Sequence, residues 1–303
     1  MAIPDFQKLM LPLLRISARS EVSLADATEL LSQEFNLTEE ERNILLPSKK
    51  ESIIKNRVGW ARTYLVKAGL LRATKRAHFM ITDEGKSVLD RGVTCINIKF
   101  LERYDEFKNF YYFNGEKDPS NSREKTSDEN LTPEEIIHNA LDKIEDALGD
   151  EILDKIMNKT PEFFENLVVK LLVAMGYGGS FEEAGKALGK SGDGGVDGVI
   201  DQDVLGLDRI YVQVKRYADD NHVGSAAIRD FFGSLDRVKA SKGLFVTTSD
   251  FTNDAKETAQ YLSKRLVLIN GRQLVKLMIR YGIGCRLEET VYIKKLDEDF
   301  FDS

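Results

Sequence analysis

Apolar residues recur at helical spacing through most of the chain and give way, in its second half, to short alternating runs. Residues 5–17 carry a helical stripe interrupted by Pro12, so a helix is expected to kink or begin there. Ser23 is placed to cap a second helix, with Leu24, Ala27, Leu30 and Leu31 on one stripe. A short third segment opens at Leu37-Thr38 and ends at Pro47. Ile54, Val58, Ala61, Leu65 and Ala68 place a stronger helix over 51–68, with Gly69 as its C-cap. Two short apolar pieces, 70–72 and 78–81, flank the basic turn Ala73-Thr74-Lys75-Arg76, and Thr82 starts another helix. Helices followed by a small hairpin predict a winged helix over residues 1–95, with 51–68 as recognition helix and 70–81 as wing.

The pattern then breaks. Residues 96–131 read as a linker, because the stretch from 115 to 130 is polar, holds Pro and Gly, and has no period. The aromatic run Phe107–Phe113 just before it suits packing on a domain better than stacking on bases. Thr132 with Pro133 and Glu135 forms a capping box, opening a helix to about Leu148 and a second domain over 132–303. Another helix follows Thr160-Pro161, with Phe164, Leu167, Val168, Leu171, Leu172 and Met175 inward. Glu165 lies beside that stripe, either reaching a site at the core edge or standing as a surface charge. Strands are expected at 196–200, 209–216, 243–248 and 266–269, with helices at 223–237, after Thr252 and at 271–280, and an extended piece at 289–294. Strands alternating with helices make this second domain a mixed α/β fold.

Composition changes this picture mainly through charge. The 303 residues suffice for two domains, and the net charge of −7 argues against a uniformly basic nucleic-acid binder. Between Arg42 and Lys86, however, eleven Lys/Arg stand against three acids, while acids gather at 102–154 and in Asp297–Asp302. Lys55, Arg57 and Arg62 on the helix and Lys75 and Arg76 on the wing are therefore candidate contacts to DNA. A solvated face on a protein-binding module is the alternative. No apolar run is long enough to span a bilayer, no signal peptide is evident, and two cysteines and three scattered histidines make no disulfide framework or zinc cluster. A cytoplasmic protein is expected.

The chemistry concentrates in Gly189–Arg216. Its first part, with Gly189-Lys190-Ser191, looks like a loosened P-loop, but no buried strand precedes it and the glycines that follow cannot sustain a helix. No nucleotide cofactor is expected. The glycines serve better as a turn that delivers Asp197 to the start of a strand. A hairpin then brings Asp197 and Gln213 to one end, and Lys215, two residues after Gln213, shares its face. A carboxylate and an amide carbonyl suit Mg²⁺ (or Mn²⁺), with Asp197 and Gln213 as ligands and Lys215 stabilising charge on a phosphate. A solvated Asp in a glycine turn and an edge-strand Lys is the plainer reading. Thr247, Thr248 and Ser249, before a helix, suit either a DNA phosphate or a helix cap.

The segments GDGGVDG and YVQVK, taken together, resemble the Mrr-like branch of the PD-(D/E)xK nuclease superfamily, where Gln replaces the usual acid. FENLVVKLLVAMGYGG and KGLFVTTSDFTNDA are similar to that family's Glu-bearing helix and later strand and helix, and NRVGWARTYLVKAGLL to its winged-helix domain. The resemblance implies a restriction-endonuclease-like mixed sheet flanked by helices, and a Mg²⁺-dependent endonuclease cutting double-stranded, methylated DNA. It also implies Asp197 and Gln213 as metal ligands, Lys215 as catalytic lysine and Glu165 as a supporting acid. Cutting two strands needs two active sites, so at least a dimer on DNA is expected. A DNA-binding regulator that keeps the nuclease fold without cleaving is the competing function.

Overall fold

The computed structural model describes residues 3–112, 130–178, 195–202 and 207–301. The chain forms two compact units, one of residues up to Leu141 together with those from Lys295, the other of Asp142–Lys294.

In the first unit, helix α1 (Phe6–Ser17) is capped by Asp5 and continues through Pro12. Strand β1 (Val22–Ser23) leads into α2 (Leu24–Glu34), which Ser23 caps by accepting from the Asp26 amide at 3.0 Å. A short α3 (Glu39–Arg42), closed by a Thr38–Glu41 capping box, precedes α4 (Ile53–Lys67). Strands β2 (Leu71–Ala73) and β3 (His78–Ile81) form an antiparallel hairpin, and β1 pairs with the free edge of β3. The predicted stripe of α4 is its buried face, since Ile54, Val58, Ala61 and Leu65 join Leu9, Leu13, Leu14 and Phe79 in one core. Helix α5 (Asp83–Asp90) follows, capped by Thr82.

Part of the linker expected over 96–131 is folded into the first unit. Residues 98–101 and 105–111 form α6 (Ile98–Leu101) and α7 (Asp105–Tyr111), and Leu101 and Phe107 are fully buried in the first core. Few anchors in a polar stretch leave no visible period, yet each completes a pocket. Tyr64 receives the edges of Phe6, Phe107, Phe110 and Tyr111 at centroid distances of 5.3, 5.4, 6.1 and 6.1 Å, so the aromatic run packs on the domain. The expected domain start at 132 also shifts. Helix α8 (Pro133–Met157) gives its first part to the first unit, where Thr132 donates to Asn56 at 2.7 Å in a buried bond.

In the second unit, α9 (Pro161–Ala174) is capped by Thr160. The sheet runs β4 (Gly198–Asp201), β5 (Arg209–Lys215), β6 (Lys242–Thr247), β7 (Arg265–Ile269), antiparallel between β4 and β5 and parallel thereafter. Each parallel connection carries a helix, α10 (Ser225–Arg237) and α11 (Asn253–Tyr261), and α12 (Gly271–Arg280) follows β7. Strand alternation divides two cores. Val212, Val214, Leu244 and Val246 face α9 and α12, while Phe245 meets Phe231 and Phe251 edge-on on the opposite side. The extended piece expected at 289–294 pairs with no strand of the described residues, and α13 (Glu298–Phe301) lies beyond it. The loosened P-loop, Gly189-Lys190-Ser191 included, lies outside the described residues.

Candidate active site

The alternation of β5 builds the site. With Val212 and Val214 committed to one core, Gln213 projects from the other face and is 4 % exposed. The Asp197 amide bonds the Val212 carbonyl at 2.9 Å, one residue before the β4–β5 ladder begins. That register sets the Asp197 carboxylate against β5. Its Oδ2 accepts from the Val214 amide at 2.7 Å and from Gln213 Nε2 at 2.5 Å. The approach runs through Gly195 at φ +83°, where an added Cβ would lie 2.7 Å from the Ser234 hydroxyl of α10. Only glycine fits this turn, by conformation and by space alike.

Lys215 follows on the face of Gln213, at the last position of β5, half-buried. Among the described residues no hydrogen bond or ion pair engages its ammonium. Glu165 comes from α9, whose Phe164, Leu167 and Val168 are in the core beneath. Burial pushes the Glu165 carboxyl above its usual range, the charges of Asp197 and Glu162 push it further, and Lys215 opposes them. The charges of Asp197 and Lys215 are therefore felt at Glu165. Arg216 fixes the corner between α8 and α9 by donating to the carbonyls of Met157, at 2.8 Å, and Lys159. The Asp197 carboxylate and the Gln213 amide thus meet on β5, with Lys215 two residues on along the same face.

Comparison with known proteins gives the family. Residues 6–91 match the Mrr N-terminal domain, and residues 156–278 match the catalytic family described as restriction endonuclease. Over 318 aligned residues, covering 100% of both chains, the sequence is 31% identical to the type IV methyl-directed restriction enzyme EcoKMrr of Escherichia coli (strain K12). The chain belongs to the Mrr family of restriction endonucleases. It is a DNA endonuclease of restriction defence. Among solved structures, similarity is found to the DNA modification-dependent restriction endonuclease AspBHI, with 16% identity and a TM-score of 0.35 over 46% of this chain and 36% of that one. It is also found to the MspJI restriction endonuclease in complex with a 27-mer oligonucleotide, with 17% identity and a TM-score of 0.34 over 67% and 48%.

For this Mrr-family chain, the expected DNA contacts divide sharply. Lys55, Lys75 and Arg76 are exposed. Lys75 pairs with Glu21 at 3.2 Å and Arg76 with Asp299. Arg57 is instead a structural clamp. Its guanidinium grips Glu135 at 2.7 Å and donates to the carbonyls of Ile3 at 2.7 Å and Pro4 at 3.0 Å. Arg62 is half-buried, 5.6 Å from the Phe79 ring centroid, and its Nε is buried without a hydrogen-bond partner.

The hydroxyls of Thr247, Thr248 and Ser249 are also corrected. All three residues are buried, at 0%, 6% and 4% exposure. They donate to the carbonyls of Lys215 at 2.8 Å, Tyr217 at 2.7 Å and Asn221 at 2.9 Å respectively, so they anchor the segment leaving β5. Parallel pairing of Lys215 with Thr247 is what brings these groups together. The cap of α11 is Thr252, not this triplet. Among the described residues no three His, Cys, Asp or Glu side chains converge as a metal cage, and none of the helices is long and apolar enough to cross a membrane.

Proposed function

We propose that this protein is a modification-dependent endonuclease in which the first unit finds duplex DNA and the second hydrolyses a phosphodiester bond with Mg²⁺ or Mn²⁺. The observation that supports it best is the fastening of Asp197 between the Val214 amide and Gln213, with Glu165 in range of the charges of Asp197 and Lys215. Asp197, Glu165 and the Gln213 carbonyl are hard oxygen donors, as such cations prefer. Burial first, and then the charge of Asp197, raise the proton affinity of Glu165, and a bound cation would offset both. When bound, the ion supplies polarisation of the phosphate and a more acidic water.

The chain's own residues do the positioning. The Val214 amide holds one carboxylate oxygen of Asp197 in place. Gln213 meets Asp197 through Nε2, so presenting its carbonyl to a cation takes a rotation of the amide about its last torsion. Lys215 places positive charge where negative charge builds on the phosphate oxygens. Glu165 lends a second carboxylate, one that holds a proton more readily than an ordinary glutamate.

DNA is met by the exposed basic residues of the first unit, Lys55 on α4 and Lys75 and Arg76 on the hairpin. Gly59 supports the same reading. It sits inside α4, where glycine costs about 0.5–1 kcal/mol relative to alanine. An added Cβ would meet nothing within 4 Å, so no packing within the unit calls for glycine there. We take close approach of a DNA backbone to be its use. Methylated DNA is the inferred substrate because the E. coli relative is methyl-directed. Two copies cutting opposite strands, in the cytoplasm, complete the proposal.

Plasmids differing only in methylation, incubated with the protein and Mg²⁺, test it. The wild type should cut methylated plasmid preferentially, and Lys215→Ala should cut at least ~10²-fold more slowly while still binding DNA. Binding without cutting of any plasmid by the wild type would favour the regulator instead. Wild-type cutting by Lys215→Ala would remove that lysine from its role.

A further inference from the structure

The segment from Lys295 belongs to the first unit although the chain has by then passed through the whole second unit. Its composition is opposite to that of the surface it meets. Residues 295–303 hold four acids (Asp297, Glu298, Asp299, Asp302) and one lysine, whereas 42–86 hold eleven basic residues and three acids. Two ion pairs set its register. Lys295 pairs with Glu51, just before α4, at 2.7 Å, and Asp299 pairs with Arg76 at the hairpin turn. Glu51 is one of the few acids in the basic stretch, and Lys295 is the one base of the segment, so the signs alternate to match. Residues 286–296 on the way there are exposed and in no helix or strand, and Leu287, Tyr292 and Leu296 are 83%, 81% and 71% exposed.

From this we infer that the hairpin flank of the first unit is a docking surface for the chain's own acidic C-terminal segment, which competes there with DNA. The inference rests on the reading that Arg76 meets DNA phosphate. An Arg76 guanidinium paired with Asp299 is closed to a phosphate, and carboxylates beside the hairpin repel the backbone. Both ion pairs are largely exposed at one or both partners, and such pairs are weak. The contact is therefore displaceable, restraining weak unspecific binding while yielding to a tightly held site. A nuclease with a permanently open basic face would have no such restraint.

Binding of a short unmodified duplex, followed by fluorescence anisotropy at low salt without divalent metal, tests this in the full chain. Asp299→Asn should tighten binding about threefold, and deletion of 295–303 about tenfold, with both gains shrinking as salt rises. Glu289→Gln removes the same charge away from the docked segment and should leave affinity unchanged. In an Arg76→Ala background, Asp299→Asn should have no effect. Equal tightening by Asp299→Asn and Glu289→Gln would overturn the inference, because bulk charge would then explain it. If Arg76→Ala weakens binding of the deleted chain but Asp299→Asn tightens nothing, docking does not compete with DNA and the inference alone fails. If Arg76→Ala leaves binding by the deleted chain unchanged, the DNA-contact reading of the hairpin fails and takes the inference with it.

Discussion

The side-chain amide of Gln213 donates to the Asp197 carboxylate at 2.5 Å, so Gln213 is a neutral partner of the acid beside it. Gln213→Glu would replace that donor with a second carboxylate at a position only 4 % exposed. Loss of the bond with a buried group left unmatched costs about 1–3 kcal/mol, and like-charge repulsion adds to it. Metal-free Gln213→Glu should therefore melt below the wild type. Mg²⁺ should raise its Tm more than it raises that of the wild type, and calorimetric titration should show tighter Mg²⁺ binding. Equal Tm values with and without Mg²⁺ would count against Gln213 as part of the metal set.

Glu165 makes a pH prediction. Its carboxyl in the folded protein holds a proton to higher pH than in the unfolded chain. The folded state thus binds more protons than the unfolded one between the ordinary glutamate pKa and the raised one, and stability falls as pH rises through that window. Glu165→Gln should stabilise the metal-free protein at neutral pH, and the gain should vanish below the ordinary glutamate range. Cleavage by the wild type should decline on acidification earlier than an ordinary glutamate would dictate, because the ionised form is the one that serves a cation. A variant Tm difference that is flat with pH would rule out this account.

Arg57 should behave as a fold residue. Its side chain and that of Glu135 are only 14% and 11% exposed, and its removal strands a carboxylate and two carbonyls. Arg57→Ala should destabilise the first unit by about 3 kcal/mol. Trp60, the chain's one tryptophan, donates to Glu134 in the same unit and reports its unfolding by fluorescence in denaturant. Unchanged stability with weakened DNA binding would restore Arg57 as a DNA contact.

Gly59→Ala should move stability and binding in opposite directions. The methyl meets nothing within 4 Å, so the helix should gain about 0.5–1 kcal/mol. Binding to duplex DNA should weaken, because the methyl occupies the space the backbone would take. Stabilisation with undiminished DNA affinity would leave Gly59 without a role in binding.

The sequence by itself determined what short-range physics controls. Periodicity located most of the helices and strands, Thr82 and Thr160 marked helix starts, and the alternation of Val212, Gln213, Val214 and Lys215 placed the two polar residues on one face. The hairpin that joins Asp197 to Gln213 was legible for the same reason, since only a short loop separates its strands. The tertiary structure decided which polar groups find partners, because that depends on residues far away in the chain. Arg57 reads as a groove-facing cation until Glu135, 78 residues on, closes over it. Thr247, Thr248 and Ser249 read as phosphate ligands or helix caps until parallel pairing sets them against carbonyls 28–32 residues earlier. Glu165 is one charge on a helix flank until α9 packs on the sheet and brings it within range of Asp197 and Lys215. Local pattern names a side chain's face; only packing says what else shares it.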